Sequence, residues 1–176
     1  SAMTVTTRSS KGTALTYTEM DTNLTHLNTL VTRPCFFAYF ASGAAFTIDS
    51  SNSTKTPLNA TTVNEGNCWS TTDYIFTAPV AGIYQINWGF SVGVEGDSAS
   101  YLASRLYKNG VLQTFSVHRN YNPPTQGGNQ YGGVDCSIIL SFAKDETFYV
   151  IGQSSATLTI NMEYGTYMSG FLLRES

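Results

Sequence analysis

Two histidines, three cysteines and twelve carboxylates are all that this chain of 176 residues offers for imidazole, thiol and carboxylate chemistry. His26 and His118 lie far apart, so nothing local marks a hydrolase triad, in which a base sits between a nucleophile and an orienting carboxylate. There is no G-x-S-x-G elbow and no H-E-x-x-H pair. Cys35, Cys68 and Cys136 form an odd, widely spaced set without Cys-x-x-Cys, which argues against a zinc site and against a disulfide framework, with one disulfide left open. Glu95, Asp97 and Asp135 are hard oxygen donors of the kind calcium takes, but no spaced loop motif gathers them, and solvated loop carboxylates are the stronger reading. No catalytic residue is assigned. The expectation is a protein that is not an enzyme and has no cofactor beyond that weak calcium option.

Recognition chemistry is better represented. The segment from His118 to Gln126 sets a cation, a Tyr ring and several amides close together in a Pro- and Asn-rich stretch. Such groups stack on and hydrogen-bond to sugars or protein surfaces. His118, Arg119, Tyr121, Asn122 and Gln126 are therefore the candidate receptor contacts, with His118 expected in a solvated loop. Gly127-Gly128 and Gly132-Gly133 are read as part of the same flexible region. A second candidate is Gly66-Asn67-Cys68-Trp69-Ser70, where Trp69 is either surface or core. Asn23, Asn52 and Asn59 fall in Asn-x-Ser/Thr sequons, a chance outcome in a chain so rich in Thr and Asn, with consequences only in a eukaryotic secretory setting.

Composition supports a binding protein of neutral surface. Charged residues are 12%, while hydrophobic residues reach 41% and aromatics 13%, enough for a sizeable core. A net charge of −3 leaves no basic field for a phosphate backbone, so nucleic acid is excluded as the expected partner. No stretch has the length of a membrane span, and the polar start with Arg8 and Lys11 does not read as a signal peptide. Ser1-Ala2-Met3 reads as a cleaved-tag remnant.

Two kinds of element must position these groups. Residues 13–31 carry the helical signal. Thr16 and Glu19 are spaced as a capping box, and Met20, Leu24, Leu27 and Val31 recur at heptad spacing. A helix this short is marginal alone, so its stripe must bury against its own β-domain or against symmetry mates. Arg33-Pro34 ends it. From Cys35 onward the period is two. Tyr84, Ile86, Trp88, Phe90 and Val92 alternate with Gln85, Asn87, Gly89 and Ser91. Val134, Cys136, Ile138, Leu140 and Phe142 alternate with Asp135, Ser137 and Ser141, and Leu158, Ile160 and Met162 with Thr157, Thr159 and Asn161. Alternation of this kind marks half-buried strands, and Asn109-Gly110 is a strong hairpin turn. The reading is an all-β sandwich or jelly roll after a short helix.

Phe76-Thr77-Ala78-Pro79-Val80-Ala81-Gly82-Ile83-Tyr84-Gln85-Ile86 resembles the F-x-A-P-x-x-G-x-Y-x-F signature of C1q-like domains. Leu106-Tyr107-Lys108-Asn109-Gly110 is similar to their L-x-K-N-G hairpin, the Ala143-Lys144-Asp145-Glu146 turn follows in order, and Ser169-Gly170-Phe171-Leu172-Leu173 is similar to their closing strand. Ile86 and the Ala-Lys-Asp turn depart from the pattern. The resemblance implies a C1q/TNF-like ten-stranded jelly roll over residues 34–176 that assembles as a tight homotrimer, one sheet of each subunit facing the axis. The heavy apolar load of Tyr84, Ile86, Trp88 and Phe90 suggests these as interface residues, together with Met20, Leu24, Leu27 and Val31 of a stalk over residues 4–33.

The stalk has a resemblance of its own. Lys11-Gly12, Leu15-Thr16, Glu19-Met20-Asp21 and Asn23 are similar to a K-G-x-x-L-T-x-x-E-M-D-x-N segment of bacteriophage tail-fibre and structural proteins. Together the two resemblances imply a virion fibre head that binds a host-surface glycan or protein and contacts other virion proteins, as an adhesin. The alternatives are a non-phage C1q-like surface or secreted binding protein, and a purely structural trimerisation or decoration domain.

Overall fold

A computed structural model describes residues 5–41, 45–51, 55–94, 101–113, 118–120, 130–155, 157–161 and 166–176. The chain starts with two helices, α1 (Arg8–Lys11) and α2 (Tyr17–Val31). At α2 the Thr16 hydroxyl accepts from the N–H of Glu19, and the Glu19 carboxylate accepts from the N–H of Thr16, the capping box expected from the sequence. α1 was not expected. Its own box joins Thr7 to Ser10, a serine where the usual signal has Glu or Gln, and Gly12 at φ 73° closes its last turn. Lys11 pairs with Glu19, and the Asn23 side chain bonds both the N–H and the C=O of Thr6. Residues 6–12 thus fold back along α2 as a helical hook.

The β-domain comprises β1 (Cys35–Tyr39), β2 (Ala45–Ile48), β3 (Ala60–Glu65), β4 (Trp69–Ser70), β5 (Ile75–Thr77), β6 (Gly82–Val94), β7 (Leu102–Lys108), β8 (Val111–Leu112), β9 (His118–Asn120), β10 (Gln130–Phe142), β11 (Thr147–Ser154), β12 (Leu158–Asn161) and β13 (Tyr167–Glu175). One antiparallel sheet runs β3-β1-β13-β6-β10, with the β2-β12 pair joined to the far end of β6. The other runs β4-β5-β11-β7-β8, and β9 also pairs with β7. Crossovers between the sheets make this a jelly roll, the all-β architecture read from the alternation.

The two sheets enclose the aromatic signature residues. Phe76 lies 5.3 Å from Tyr84, 5.5 Å from Phe142 and 4.6 Å from Phe148, centroid to centroid. The Tyr84 hydroxyl donates to the Val80 carbonyl, and the Trp88 indole N–H donates to the Ser104 hydroxyl at 2.8 Å, so both polar tips are satisfied. Tyr84, Ile86, Trp88 and Phe90 are 2% exposed or less within one chain. This corrects their assignment to a subunit interface. Period-two alternation says that one face is buried but not what buries it, and here the second sheet does.

The hairpin motif also has a local cause. Asn109 and Gly110 both take positive φ, 48° and 78°, as a tight turn with the right twist demands. Asn109 donates to Glu146 and accepts from the N–H of Thr147, while Lys108 bonds the same carboxylate. These contacts tie the β7–β8 turn to the turn before β11. Two further expectations change. His118 and Arg119 stand in strand β9, opposite Ser104 and Ala103 of β7, instead of a loop. Gly132 and Gly133 stand in β10, opposite Val92 and Ser91, because β10 pairs with β6 along its whole length.

Candidate functional site

With Tyr84, Ile86, Trp88 and Phe90 of β6 committed to the interior, the alternate residues Gln85, Asn87 and Gly89 define the outer face of the first sheet. Register across β3, β1, β13, β6 and β10 fixes three rungs there. Glu65, Cys35, Phe171, Gln85 and Ile139 form one, and Val63, Phe37, Ser169, Asn87 and Ser137 the next. Ala60, Tyr39, Tyr167, Gly89 and Asp135 form the third. Phe171, Val63 and Ile139 are 40%, 42% and 61% exposed.

The centre of this face is a neutral hydrogen-bonded lattice. Ser137 donates to the Asn87 carbonyl oxygen at 2.7 Å, the Gln85 amide reaches both, and the Asn87 amide reaches Ser169. Beside it the Phe37 and Tyr167 rings stack at 5.4 Å with 7° between their planes. Gly89 makes that possible, since a Cβ there would stand 2.6 Å from the Tyr167 ring. Charge sits only at the ends of the rungs, on Glu65 and Asp135. A nearly uncharged surface of aromatic rings and paired amides has the composition of a protein contact.

Sequence reasoning missed Phe37, Tyr39, Tyr167 and Phe171. A signal was present: Cys35-Phe36-Phe37-Ala38-Tyr39 and Gly170-Phe171-Leu172-Leu173 are apolar on both faces, the mark of strands covered on both sides.

The other candidates divide. Met20, Leu24 and Leu27 are 39%, 64% and 50% exposed, so the stripe of α2 is not buried by its own jelly roll. The side chain of Val31 lies outside the described residues, as do those of His118 and Arg119 and the whole of Tyr121, Asn122, Gln126, Glu95 and Asp97. Asp135 is exposed beside Gly89, with no metal-holding cluster among the described residues. Burial pushes the Cys68 thiol up to about 12 and raises Cys136, which leaves both protonated and poorly nucleophilic.

The segment from Gly66 to Ser70 shapes a cup of about 360 Å³ between the β3 edge and the β4–β5 hairpin. Trp69 belongs to the core, 3% exposed, stacked on Phe36 at 5.1 Å with its indole N–H on the Leu58 carbonyl. The Asn64 amide bonds both the N–H and the C=O of Trp69, which fixes one wall of the cup.

No protein-family model matches this sequence, and comparison with curated proteins finds no relative. Solved structures do match over four-fifths of the chain. The globular domain of zebrafish complement 1qA aligns over 82% of this chain and 99% of its own, with TM-score 0.58 and 13% identity. An Eiger TNF from S. frugiperda aligns over 82% and 95%, with TM-score 0.64 and 6% identity, and murine APRIL over 80% and 99%, with 0.57 and 11%. The fold is the C1q/TNF jelly roll. At such identities the likeness is one of backbone path alone, and C1q/TNF topology here carries its own set of surface side chains. The core aromatics of the F-x-A-P-x-x-G-x-Y segment are what this jelly roll shares with the C1q-like signature; the outer-face rungs and the cup are read from this chain.

Proposed function

We propose that the chain is a non-catalytic assembly and binding module that works as a homotrimer. Three copies close on one another through the outer face of the β3-β1-β13-β6-β10 sheet, and the exposed stripe of Met20, Leu24 and Leu27 joins them in a short helical stalk. The observation that carries this reading is the outer face itself. Phe37, Tyr39, Tyr167 and Phe171 occupy adjacent rungs beside a neutral lattice, and among the described residues Phe37 and Phe171 stay 36% and 40% exposed. A homotypic contact suits such a face because the lattice can meet its own copies without like-charge conflict. The C1q-like resemblance, which implies a trimer, favours three copies over two.

The setting we infer is the head of a bacteriophage fibre that contacts a host-surface glycan or protein. Its support is the similarity of residues 11–23 to fibre segments, placed directly before a head domain. Repetition of one binding surface three times on a rigid head compensates for a weak single site. Light scattering tests the assembly: the expected mass is three times 19.1 kDa. A wild-type mass of one chain at micromolar concentration overturns the reading. Adsorption of the purified trimer to bacterial cells of a permissive host, and of no other host, tests the fibre setting.

A further inference from the structure

The cup between β3 and the β4–β5 hairpin is lined mainly by small hydroxyl and amide side chains. Thr61, Asn67, Ser70, Thr71, Thr72 and Thr77 supply five hydroxyls and an amide, and no lining residue carries a formal charge. Thr61, Thr71, Thr72 and Thr77 spend no side-chain hydrogen bond on another described residue, so their hydroxyls remain available. The frame around them is fixed. Besides the two hydrogen bonds between the Asn64 amide and the Trp69 backbone, the N–H of Thr77 donates to the Cys68 carbonyl at 2.8 Å and the N–H of Tyr74 to the Ser70 carbonyl at 2.9 Å. Gly66 and Asn67 turn the rim with φ of 78° and 50°, a left-handed pair in which Asn67 carries a side chain where glycine is usual. Buried Cys68 and Trp69 close the cup from the inside.

We propose that this cup binds a neutral saccharide. A hydroxyl both donates and accepts, so a wall of hydroxyls matches a ligand whose own groups do the same, which a polyol does at nearly every carbon. An anionic or cationic ligand would find no counter-charge in the lining itself, Asp73 lying outside it with its carboxylate bonded by the Ser70 hydroxyl, and an apolar one would strand the lining hydroxyls without water. The volume is at the lower end for small-molecule sites and suits one or two sugar rings. Charge-free lining also accords with a chain in which only 12% of residues are charged. The inference deepens the binding reading above by naming a ligand class and a site. Because the cup lies within one chain, it does not depend on the three-fold face.

The test is an amide-resolved NMR titration of the full chain. Glucose, galactose, rhamnose and N-acetylglucosamine are the neutral probes, with glucuronate and N-acetylneuraminate as anionic ones. The expected result is saturable shifts at Asn67, Ser70, Thr71 and Thr72 for at least one neutral sugar. Binding should weaken by about tenfold or more in a Thr71→Ala/Thr72→Ala double variant and vanish in Thr72→Arg, which fills the cup. Both changes fall on exposed turn residues, and unchanged shifts in the core verify folding. Absence of saturable cup shifts with every neutral probe overturns the proposal, as does preference for the anionic probes or undiminished binding by Thr72→Arg. Light scattering on the same samples reports the mass separately, so a failed cup and a failed trimer are told apart.

Discussion

Trp88 shows how much a single side chain decides. It is 2% exposed, it packs between the two sheets, and its indole N–H is held by Ser104. Trp88→Ala should cost about 3–5 kcal/mol of stability, read from urea unfolding, through the cavity left behind. Because Trp88 is buried within one chain, Trp88→Asp should unfold the head and not merely separate its copies. That reverses the inference drawn from sequence, where its hydrophobicity pointed to the interface. Gly89 is the converse, since its missing side chain makes room for Tyr167. Gly89→Leu should push the Tyr167 ring off Phe37 and weaken self-association, measured as a fall in mass on dilution. An unchanged dilution profile would count against the outer face. The Lys108 ammonium, and then the Ala143 N–H, hold the Glu146 carboxyl below its usual range. A depressed carboxyl stabilises the fold above the unfolded value of 4.5, and that contribution is lost as pH falls through the folded value. Glu146→Gln should therefore melt lower than wild type at neutral pH and lose less of its melting temperature on acidification below about pH 4.5.

At the scale of elements, α2 was legible because its cap and its heptad spacing are local facts. Thr16→Ala should cost the helix about 1 kcal/mol, seen as reduced helicity by circular dichroism in a peptide of residues 5–31. Glu19 is coupled to the same cap. Its carboxyl is lowered to about 2, first by the hydrogen bond from Lys11 and then by the Thr16 N–H, so its support of the hook is complete above 4.5 and fades between there and about 2. α1 was not legible, since a Thr–Ser box is weaker than the usual signal and Asn23 clasps Thr6 across a gap in sequence that no local window spans. The exposed stripe gives a separate expectation. Leu24→Asp should leave chain stability within about 0.5 kcal/mol of wild type while weakening association. Stability lost without any change in association would mean that the stripe serves only its own chain. β9 and the second half of the Gly-rich stretch, Gly132-Gly133, were misread as loop because composition alone suggested flexibility. Their partners in β7 and β6 overrode it.

For the whole molecule, the expectation that matters is where copies meet. Phe171→Asp places a charge at the middle of an outer-face rung without touching the core, so the chain should fold with unchanged far-ultraviolet circular dichroism and run as a monomer in light scattering. If the variant keeps the wild-type mass, the outer face is not the contact. The single-chain burial of Tyr84, Ile86, Trp88 and Phe90 removes the argument that the sandwich needs partners to cover its core. What remains in favour of assembly is a different surface, with the aromatic rings in register and the amides already paired.

Residues 35–176 determined by themselves that the protein is an all-β sandwich, because alternation and the Asn-Gly turn are written in near-neighbour chemistry. Two-residue periodicity also sorted the side chains of β6 and β10 into two sets. Only the tertiary structure decided which set faces inward, because a strand presents both faces and the choice depends on a second sheet supplied from elsewhere in the chain. The same holds for the outer-face rungs and for the cup at Asn64 and Trp69. Both are made by residues that sequence separates and strand register brings together.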